Sequence, residues 1–325
     1  MRVLMVGRRP SVALNDLRRY WGHVDFMRPP GIPRSSYDLV IAQEPTKRVG
    51  PFAYLASRLT GSKLIVEVHG DYLNFLQRRL DKGLAILLLR RAHYVRGVNH
   101  GIIRSLRAHG IERTILIPAV YVDVQKFRFI KRHASREPEL LFVGRLEREK
   151  GLDLLLRSFE IVASRDDRVT LRIVGAGSLY PYLLRSVRSM GLSHRVTVSG
   201  RWIPQEELVN IYNSSSIILC TSDYEGGPRV LFEAAACGTP FVSTPVGLIS
   251  EVCEDGSEGF IVRGRDPRII AKKVLEALQD PDLRDRMGEA GRRLVEGRFE
   301  WNSAIQRYAE SYLKLVESVS TRLVA

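Results

Sequence analysis

The chain has 325 residues, of which 45% are hydrophobic and 26% charged. This length exceeds what one ordinary hydrophobic core supports, and the composition excludes a disordered protein. Residues 1–132 contain 24 Lys and Arg against 9 Asp and Glu, a net charge of +15, whereas residues 133–325 contain 26 against 27, a net charge of −1. We therefore expect two domains, the first of which can meet an anionic surface or acceptor.

The first residues and the cysteines bear on the compartment. The segment MRVLMVGRRP has a four-residue apolar run between Arg and Gly, which predicts a buried strand rather than a signal peptide. No segment has the character of a transmembrane helix. The three cysteines, Cys220, Cys237 and Cys253, include no Cys-x-x-Cys pair, so neither a disulfide framework nor a zinc site is indicated. We expect a cytoplasmic protein.

Short apolar runs alternate with helix-length segments along the whole chain. Such runs predict parallel strands that are covered on both faces, as in a doubly wound α/β sheet. The pattern occurs twice. The predicted strands are Val3–Val6, Leu39–Ala42, Leu64–Val68 and Thr114–Ile117, then Leu140–Val143, Leu171–Val174, Val196–Val198, Ile217–Cys220, Phe241–Ser243 and Phe260–Val262.

A polar seam at residues 131–138 separates the two series of strands. It predicts one Rossmann-like domain over residues 1–134 and a second over residues 135–298. Residues 299–325 are predicted to form a helix, from about Asn302 to Glu317, that packs back toward the first domain. Because open parallel sheets bind ligands beyond the carboxyl ends of their strands, we expect the two domains to face each other across a cleft.

The turn after the strand Leu140–Val143 contains Gly144, Arg145 and Lys150 and precedes a predicted helix. Glycine lets the backbone approach an anion closely, arginine can bind a phosphate through two hydrogen bonds, and lysine adds a point charge beside a helix N-terminus. The turn therefore favours a diphosphate, although ordinary strand-to-helix turns contain similar residues.

Two more turns follow the next strands. Gly175 and Gly177 form a Gly-Ala-Gly turn, but Tyr180 stands where a dinucleotide-binding fingerprint has its third glycine, so that fingerprint is not matched. Arg201 and Trp202 follow the next strand. Both turns are candidates to line a nucleotide base.

The most specific segment follows the strand Ile217–Cys220. Two carboxylates, Glu225 and Glu233, bracket a glycine turn and the start of a helix. The backbone N–H groups of Gly226 and Gly227 can bind a phosphate or sugar hydroxyls, and a carboxylate can accept both hydroxyls of a ribose diol. The apolar neighbours of Glu233 predict that it is buried, which for a charged group indicates a specific partner.

Residues 140–262 resemble the donor domain of the retaining family 4 glycosyltransferases (glycosyl transferases group 1). The resemblance rests on the strand-GR-x4-KG opening, the GAG turn, the E-x7-E spacing, and the later segments ACGTP, TPVG, Glu251-Val252 and Asp255-Gly256. It implies the α/β GT-B fold, with two Rossmann-like doubly wound parallel-sheet domains facing an interdomain cleft. The implied donor-binding residues are Gly144, Arg145, Lys150, Gly175, Gly177, Arg201, Trp202, Glu225, Gly226, Gly227, Pro228, Arg229, Val230 and Glu233.

The resemblance also implies roles in catalysis. Arg145 and Lys150 would neutralise the donor diphosphate, Glu225 would lie at the transferred sugar, and Glu233 would bind the ribose. His69, at the end of the strand Leu64–Val68, matches a family histidine that contacts the donor sugar. The implied catalytic residues are therefore Glu225, His69, Arg145 and Lys150.

The first domain departs from the family pattern, because Gly7 is followed by Arg8 and Arg9 rather than by another glycine. Contacts with the acceptor cannot be carried over from the family for this reason. The candidates for acceptor binding are Gly7, Arg8, Arg9, His69 and Asp71.

We therefore expect a retaining transfer of a hexose from a nucleoside-diphosphate sugar, UDP or GDP, to a hydroxyl of a lipid-linked or glycan acceptor. No cofactor and no metal are expected, on the interpretation that no Asp-x-Asp metal pair occurs in the chain. Alternatives are a GT-B sugar phosphorylase, a nucleotide-sugar epimerase, a non-catalytic partner subunit and a basic nucleic-acid-binding protein. The chain has no recognised nucleic-acid-binding motif and its charge lies away from the motif-rich half, so we expect no nucleic acid.

Residues 72–96 interleave leucines with Arg and Lys. This pattern either packs a core or seats a domain on an anionic bilayer, at about 1 kcal/mol for each cation near the surface. The anionic inner face of the cell membrane is therefore a candidate partner of the first domain.

Overall fold

The computed structural model describes residues 1–33, 35–75, 78–130 and 138–321. The chain forms two compact units. The first unit is Met1–Ala119 with the chain from Asn302 onward, and the second is Val120–Trp301. Most of the predicted seam, residues 131–137, lies outside the described residues, so the boundary at residue 134 stays a prediction.

The first unit is built on a six-stranded parallel sheet with the strand order β2-β1-β3-β4-β5-β6. Its strands are β1 (Arg2–Val6), β2 (His23–Met27), β3 (Leu39–Ala42), β4 (Lys63–Val68), β5 (Tyr94–Gly97) and β6 (Thr114–Leu116). Its helices are α1 (Leu14–Trp21), α2 (Gly50–Thr60), α3 (Tyr72–Phe75), α4 (Arg79–Arg91) and α5 (His100–Ala108).

Two strands of this sheet, β2 and β5, are absent from the sequence prediction. Edge strand β2 carries His23 and Asp25, and β5 carries Arg96, so neither forms an apolar run. Arg96 is nevertheless almost fully buried, at 1% exposure, because its guanidinium pairs with Glu67 of β4 at 2.6 Å. A buried charge is tolerated only with such a partner.

The last helix, α13 (Trp301–Thr321), belongs largely to the first unit. The hydroxyls of Tyr308 and Tyr312 both donate to Glu67 Oε1, at 2.8 and 2.7 Å. The indole N–H of Trp21 donates to a backbone carbonyl of α13 at 3.1 Å. This helix therefore surrounds a buried carboxylate with hydroxyl donors.

The second unit has a parallel sheet with the strand order β12-β11-β10-β7-β8-β9. Its strands are β7 (Glu139–Val143), β8 (Thr170–Val174), β9 (Val196–Val198), β10 (Ile217–Cys220), β11 (Phe241–Ser243) and β12 (Gly259–Ile261). Its helices are α6 (Leu152–Ala163), α7 (Tyr180–Ser189), α8 (Gln205–Ser214), α9 (Arg229–Ala236), α10 (Ile249–Val252), α11 (Pro267–Gln279) and α12 (Pro281–Arg298).

All ten predicted strands are confirmed, with bounds that differ by at most one residue at either end. The chain continues from β7 to β8 on one side, while β10 lies on the other side of β7. The order therefore reverses between β7 and β10, and such a switch point is where open α/β sheets bind ligands. None of the helices in the described part of the chain is long and apolar enough to cross a membrane.

Candidate active site

The loops that follow β7 and β10 are joined at the switch point of the second sheet. The backbone N–H of Asp223 donates to Glu149 O at 2.8 Å, and Thr221 Oγ1 donates to Lys150 O at 3.0 Å. Gly151 has a φ of +63°, and a Cβ added there would lie 2.0 Å from Thr221 O. Only glycine permits this close approach, which brings the two most specific motifs together.

Lys150 and Glu225 are in contact within this arrangement. The ammonium of Lys150 binds Glu225 Oε1, and Ser222 Oγ donates to the same oxygen at 2.9 Å. The two side chains are only 15% and 16% exposed. With little solvent to screen them, the two charges neutralise each other when no ligand is bound.

The second carboxylate, Glu233, is buried in α9, as the sequence predicts, with 4% exposure. Tyr212 donates its hydroxyl to Glu233 Oε2 at 3.0 Å. Arg229 Nε lies 2.9 Å from Oε1, as an ion pair whose N–H is not directed along a hydrogen bond. Burial raises the pKa of Glu233, although Arg229 and Tyr212 oppose that rise. Each oxygen keeps a second lone pair, so the carboxylate can still accept hydroxyl groups.

The loop that carries Glu225 is held by the TPVG segment. Gly247 has a φ of +50°, and a Cβ there would lie 2.4 Å from Glu225 O and 2.5 Å from Gly226 O. The backbone N–H of Leu248 donates to Gly226 O at 3.1 Å. Helix α9 begins directly after Pro228, so its first residues, Arg229 and Val230, present helix N-terminal N–H groups beside this loop.

The Gly-Ala-Gly turn packs on the turn after β7. The N–H of Gly144 donates to Val174 O at 3.0 Å. A Cβ on Gly175 would lie 1.8 Å from Gly144 O, and one on Gly177 would lie 2.4 Å from Leu146 O. Both glycines therefore serve a close backbone contact, and their contact with a donor stays a prediction.

Three predicted donor residues lie on the surface. Arg145 pairs with Glu149 at 2.6 Å and its side chain is 60% exposed. Arg201 is exposed in the loop after β9, and Trp202 beside it is 59% exposed. An exposed indole offers a stacking face for a base, but this role stays a prediction.

His69 follows β4 in the first unit, and its Nε2 lies 3.2 Å from Glu67 Oε2. Burial alone would raise the pKa of Glu67, but the charge of Arg96 and hydrogen bonds from His69 and Tyr312 lower it well below its usual value. An ionised carboxylate only accepts hydrogen bonds, so the proton of a neutral His69 belongs on Nε2 and leaves Nδ1 as an acceptor.

The other candidate acceptor residues also belong to the first unit. Asp71 accepts hydrogen bonds from Ser105 Oγ at 2.8 Å and Asn74 Nδ2 at 2.6 Å. Arg8 pairs with Glu44 at 2.8 Å. Gly7 follows β1, and a Cβ there would collide with the side chain of Gln43.

Comparison with known proteins identifies the family. The family described as "Glycosyl transferases group 1" matches residues 123–294, more than half of the chain. The family described as "Glycosyl transferase 4-like domain" matches residues 1–119. The chain belongs to the group 1 glycosyl transferases. It is a family 4 glycosyltransferase with the GT-B fold.

Two curated relatives of this glycosyltransferase differ in their names and in the extent of the match. The chain is 33% identical over 184 residues to the D-inositol 3-phosphate glycosyltransferase of Corynebacterium diphtheriae, covering 53% of this chain and 42% of that protein. It is 25% identical over 275 residues to the N-acetyl-alpha-D-glucosaminyl L-malate synthase of Bacillus anthracis, covering 80% and 70%. The chain thus spans less than half of the first relative.

Solved structures show the same fold. A sucrose-phosphate synthase from Thermosynechococcus elongatus matches with a TM-score of 0.84 at 18% identity, over 98% of this chain and 100% of that chain. HepE from Anabaena, in complex with UDP and glucose, matches with a TM-score of 0.82 at 18% identity, over 97% and 100%.

Several partners of the carboxylates in this glycosyltransferase carry no signal in the sequence. Tyr212 and Ser222 carry no motif that points to Glu233 or Glu225. The contact of Arg229 with Glu233 could have been found, because residues four apart on a helix are neighbours. Arg265, whose guanidinium pairs with Asp223 at 2.6 Å, also lies outside every motif.

The interpretation that no Asp-x-Asp pair occurs in the chain is wrong, because Asp280-Pro281-Asp282 is such a pair, outside the motif-bearing residues 140–262. Asp280 caps helix α12, since its Oδ1 accepts the N–H of Leu283 at 2.8 Å. Within the ranges that the structure describes, no group of three or more His, Cys, Asp or Glu is placed to hold a metal ion. Independence from metal stays a prediction.

Proposed function

We propose that this glycosyltransferase moves a hexose from a nucleoside-diphosphate sugar, with UDP or GDP as the leaving group, to a hydroxyl of a lipid-linked or glycan acceptor. The transfer retains the anomeric configuration and uses neither a metal nor a cofactor. The observation that carries the proposal is the contact between Lys150 and Glu225 at the switch point of the second sheet.

The negative charge of the leaving diphosphate needs cationic or N–H partners if no metal is present. Lys150 and Arg145 supply two cations, and the start of α9 supplies backbone N–H groups. Such preorganised charge is commonly the largest contribution to catalysis. Gly144, Gly175, Gly177, Gly226, Gly227, Pro228, Arg229 and Val230 are proposed to line the donor, and Arg201 and Trp202 to contact the base.

Glu225 and Glu233 have separate roles in this proposal. A diphosphate that binds Lys150 competes with Glu225 for the ammonium, which frees Glu225 to accept hydroxyls of the transferred sugar or to stabilise its positive charge. Glu233 accepts the ribose hydroxyls through its remaining lone pairs. The hydroxyl of Tyr212, which donates to Oε2, and the guanidinium of Arg229, which forms an ion pair with Oε1, hold the carboxylate of Glu233 in one orientation.

The first unit is proposed to contribute His69 to the transferred sugar, through the acceptor nitrogen Nδ1. Gly7, Arg8, Arg9 and Asp71 are proposed to bind the acceptor. The names of two relatives support a polar acceptor, since one is a D-inositol 3-phosphate glycosyltransferase and the other an N-acetyl-alpha-D-glucosaminyl L-malate synthase. The UDP in HepE supports UDP as one donor nucleotide to test first.

We propose a cytoplasmic location, with the first unit resting on an anionic membrane. Helices α2 and α4 pack on each other and expose Leu55, Leu59, Leu80 and Leu87, the third of these at 88% exposure. Exposed cations, among them Arg58, Arg79 and Arg90, lie on the same helices. Other members of the predicted stripe, including Leu73 and Leu88, pack in the core. Exposed leucines beside cations favour an anionic bilayer surface.

Sedimentation with vesicles tests the membrane proposal. We expect binding to phosphatidylglycerol vesicles but not to phosphatidylcholine vesicles, with a loss at high salt. L80Q/L87Q should bind several-fold less, while L184Q, at an exposed leucine of the second unit, should bind like the wild type. Equal sedimentation of both variants would contradict the proposed surface.

The transfer itself is tested by the products. With chelator present, UDP or GDP should appear only when an acceptor, supplied as a lipid or glycan extract, is added. Proton NMR of the product should show the anomeric configuration of the donor. Phosphate-dependent release of a sugar 1-phosphate would indicate a phosphorylase instead, and an altered donor sugar without nucleotide release would indicate an epimerase.

A further inference from the structure

A basic cavity lies at the carboxyl edge of the first sheet. Its volume is about 650 Å³, and five of its lining residues are cations from three loops. Arg8 and Arg9 follow β1, Arg28 follows β2, and Lys47 and Arg48 follow β3. Because β1 lies between β2 and β3, these three loops leave neighbouring strands at the point where the strand order reverses. Ligands bind at such a point.

The cavity has more positive than negative charge. Glu44 pairs with Arg8 at 2.8 Å, and Asp81 pairs with Lys47 at 3.1 Å. Within the described residues, no hydrogen bond or ion pair engages the guanidinium groups of the other three cations, Arg9, Arg28 and Arg48. Five cations against two carboxylates leave a net charge of +3, and a bound anion relieves their mutual repulsion.

The side chain of Arg8 is held in place by the buried carboxylate of Glu44. Glu44 is 6% exposed, and it accepts a hydrogen bond from Thr46 Oγ1 at 2.8 Å through one oxygen while the other binds Arg8. The contact with Glu44 uses one terminal nitrogen of Arg8 and leaves the rest of the fork for a ligand. A fork of this kind matches a phosphate.

We propose that this cavity binds a phosphate or diphosphate group of the acceptor substrate. Pro29, Pro30 and Phe52 give it an apolar wall beside the cations, so the ligand also carries a sugar face or hydrocarbon next to its phosphate. The volume is sufficient for such a group. The proposal rests on the proposed function, because it names the acceptor class of that reaction.

Calorimetric titration of inorganic diphosphate tests the cavity. The donor site is first saturated with the nucleoside diphosphate that stabilises the protein, so that the added diphosphate reports on the first unit. We expect one diphosphate site in the wild type. R28Q/R48Q should bind diphosphate at least tenfold more weakly, because hydrogen bonds to charged groups are strong. Added salt should weaken binding further, because it screens the attraction between the cations and the diphosphate. R104Q/R107Q on α5, which removes the same charge, should bind like the wild type.

Equal binding by R28Q/R48Q and the wild type, or no site in the wild type, overturns the proposal. Failure of the donor proposal is separate, because it appears as the absence of nucleotide binding while the diphosphate titration can still succeed. Competition distinguishes the source of the phosphate: a hexose phosphate displaces diphosphate if the acceptor is soluble, and a polyprenyl diphosphate in micelles displaces it if the acceptor is lipid-linked. Displacement by neither excludes the cavity as an acceptor site.

Discussion

The ammonium of Lys150 contacts the carboxylate of Glu225, although 75 residues separate them in the chain. Lys150 follows β7 and Glu225 follows β10, and these strands are neighbours at the switch point. The family resemblance assigns Lys150 and Glu225 to different parts of the donor. In the structure, these two side chains instead bind each other. Under the proposed function, a diphosphate that binds Lys150 competes with Glu225 for the ammonium.

This competition predicts opposite effects of changing the two partners. In E225Q the diphosphate no longer competes with a carboxylate, so a nucleoside diphosphate should bind about fivefold more tightly, the size expected for a modest ion pair. K150M should bind it at least tenfold more weakly. Calorimetry measures both, and E207Q on α8 is the control for loss of a carboxylate in the same unit.

The same E225Q variant should lose turnover, by about 10²–10³, because a group that stabilises the transition state is lost. Weaker nucleotide binding by E225Q would contradict the competition. Unchanged turnover would remove Glu225 from the catalytic residues.

Burial of Glu233 predicts a dependence of stability on pH. Its raised pKa means that the native protein binds a proton more tightly than the unfolded chain does, so wild-type stability falls as pH rises above about 4.5 toward the native pKa. E233Q lacks this loss of stability. The thermal midpoint of E233Q should therefore rise relative to that of the wild type as the pH is increased from 4 to 8. Y212F removes a donor to the ionised carboxylate, so its stability should fall more steeply with pH. Parallel curves for all three proteins would show that the pKa is not raised.

Glu67 predicts the opposite slope. E67Q leaves the buried guanidinium of Arg96 without a counter-charge, at a cost of about 3–5 kcal/mol near pH 7. The pKa of Glu67 is lowered, so the wild type loses this advantage as pH falls below about 4.5, by up to about 1.4 kcal/mol per pH unit. Y308F removes one hydroxyl donor and should cost about 1 kcal/mol.

Urea unfolding followed by the fluorescence of Trp21 measures these differences, with Trp202 and Trp301 replaced by Phe. The ring of Trp21 lies 5.7 Å from those of Tyr308 and Tyr312, so it reports on the packing of α13 in the first unit. A cost for E67Q that does not change between pH 7 and pH 3 would contradict the lowered pKa.

The contact of Glu67 with His69 predicts that the two act together. E67Q should lower kcat about tenfold by releasing the His69 ring, yet should change kcat little in an H69A background, because residues in one network are not additive. Nitrogen NMR of the imidazole should show the proton on Nε2 in the wild type and a mixture in E67Q. Independent effects of the two substitutions on kcat would reduce Glu67 to a structural residue.

The fold follows from the sequence wherever strands are apolar runs. Such runs predict the bounds of ten strands to within one residue of the observed bounds, including those of every strand of the second sheet. They fail at β5 because Arg96 becomes acceptable in the interior only through Glu67, Tyr308 and Tyr312, which lie far away in the chain.

The candidate site is predictable in its residues but not in its contacts. The family resemblance, rather than spacing alone, implies that Glu225, Glu233 and Lys150 belong to one site. Their pairing depends on the order of β7 and β10 in the sheet, which no local pattern encodes. The sequence predicts only part of the basic cavity, because Arg8 and Arg9 are candidate acceptor residues whereas Arg28 and Arg48 are not. Arg28 and Arg48 lie beside them only because β1 is placed between β2 and β3 in the sheet.

The most direct test of the account is a thermal-shift and calorimetric comparison of nucleoside diphosphates with their 2′,3′-dideoxy forms, in chelator, on the wild type and E233A. The account predicts that one diphosphate binds the wild type without metal, raising its stability by about 2.7 kcal/mol at 100 times Kd. Loss of the diol should weaken wild-type binding at least tenfold and leave E233A binding unchanged. Failure of every diphosphate to bind, or equal discrimination by both proteins, would contradict a nucleotide-sugar site built around Glu233.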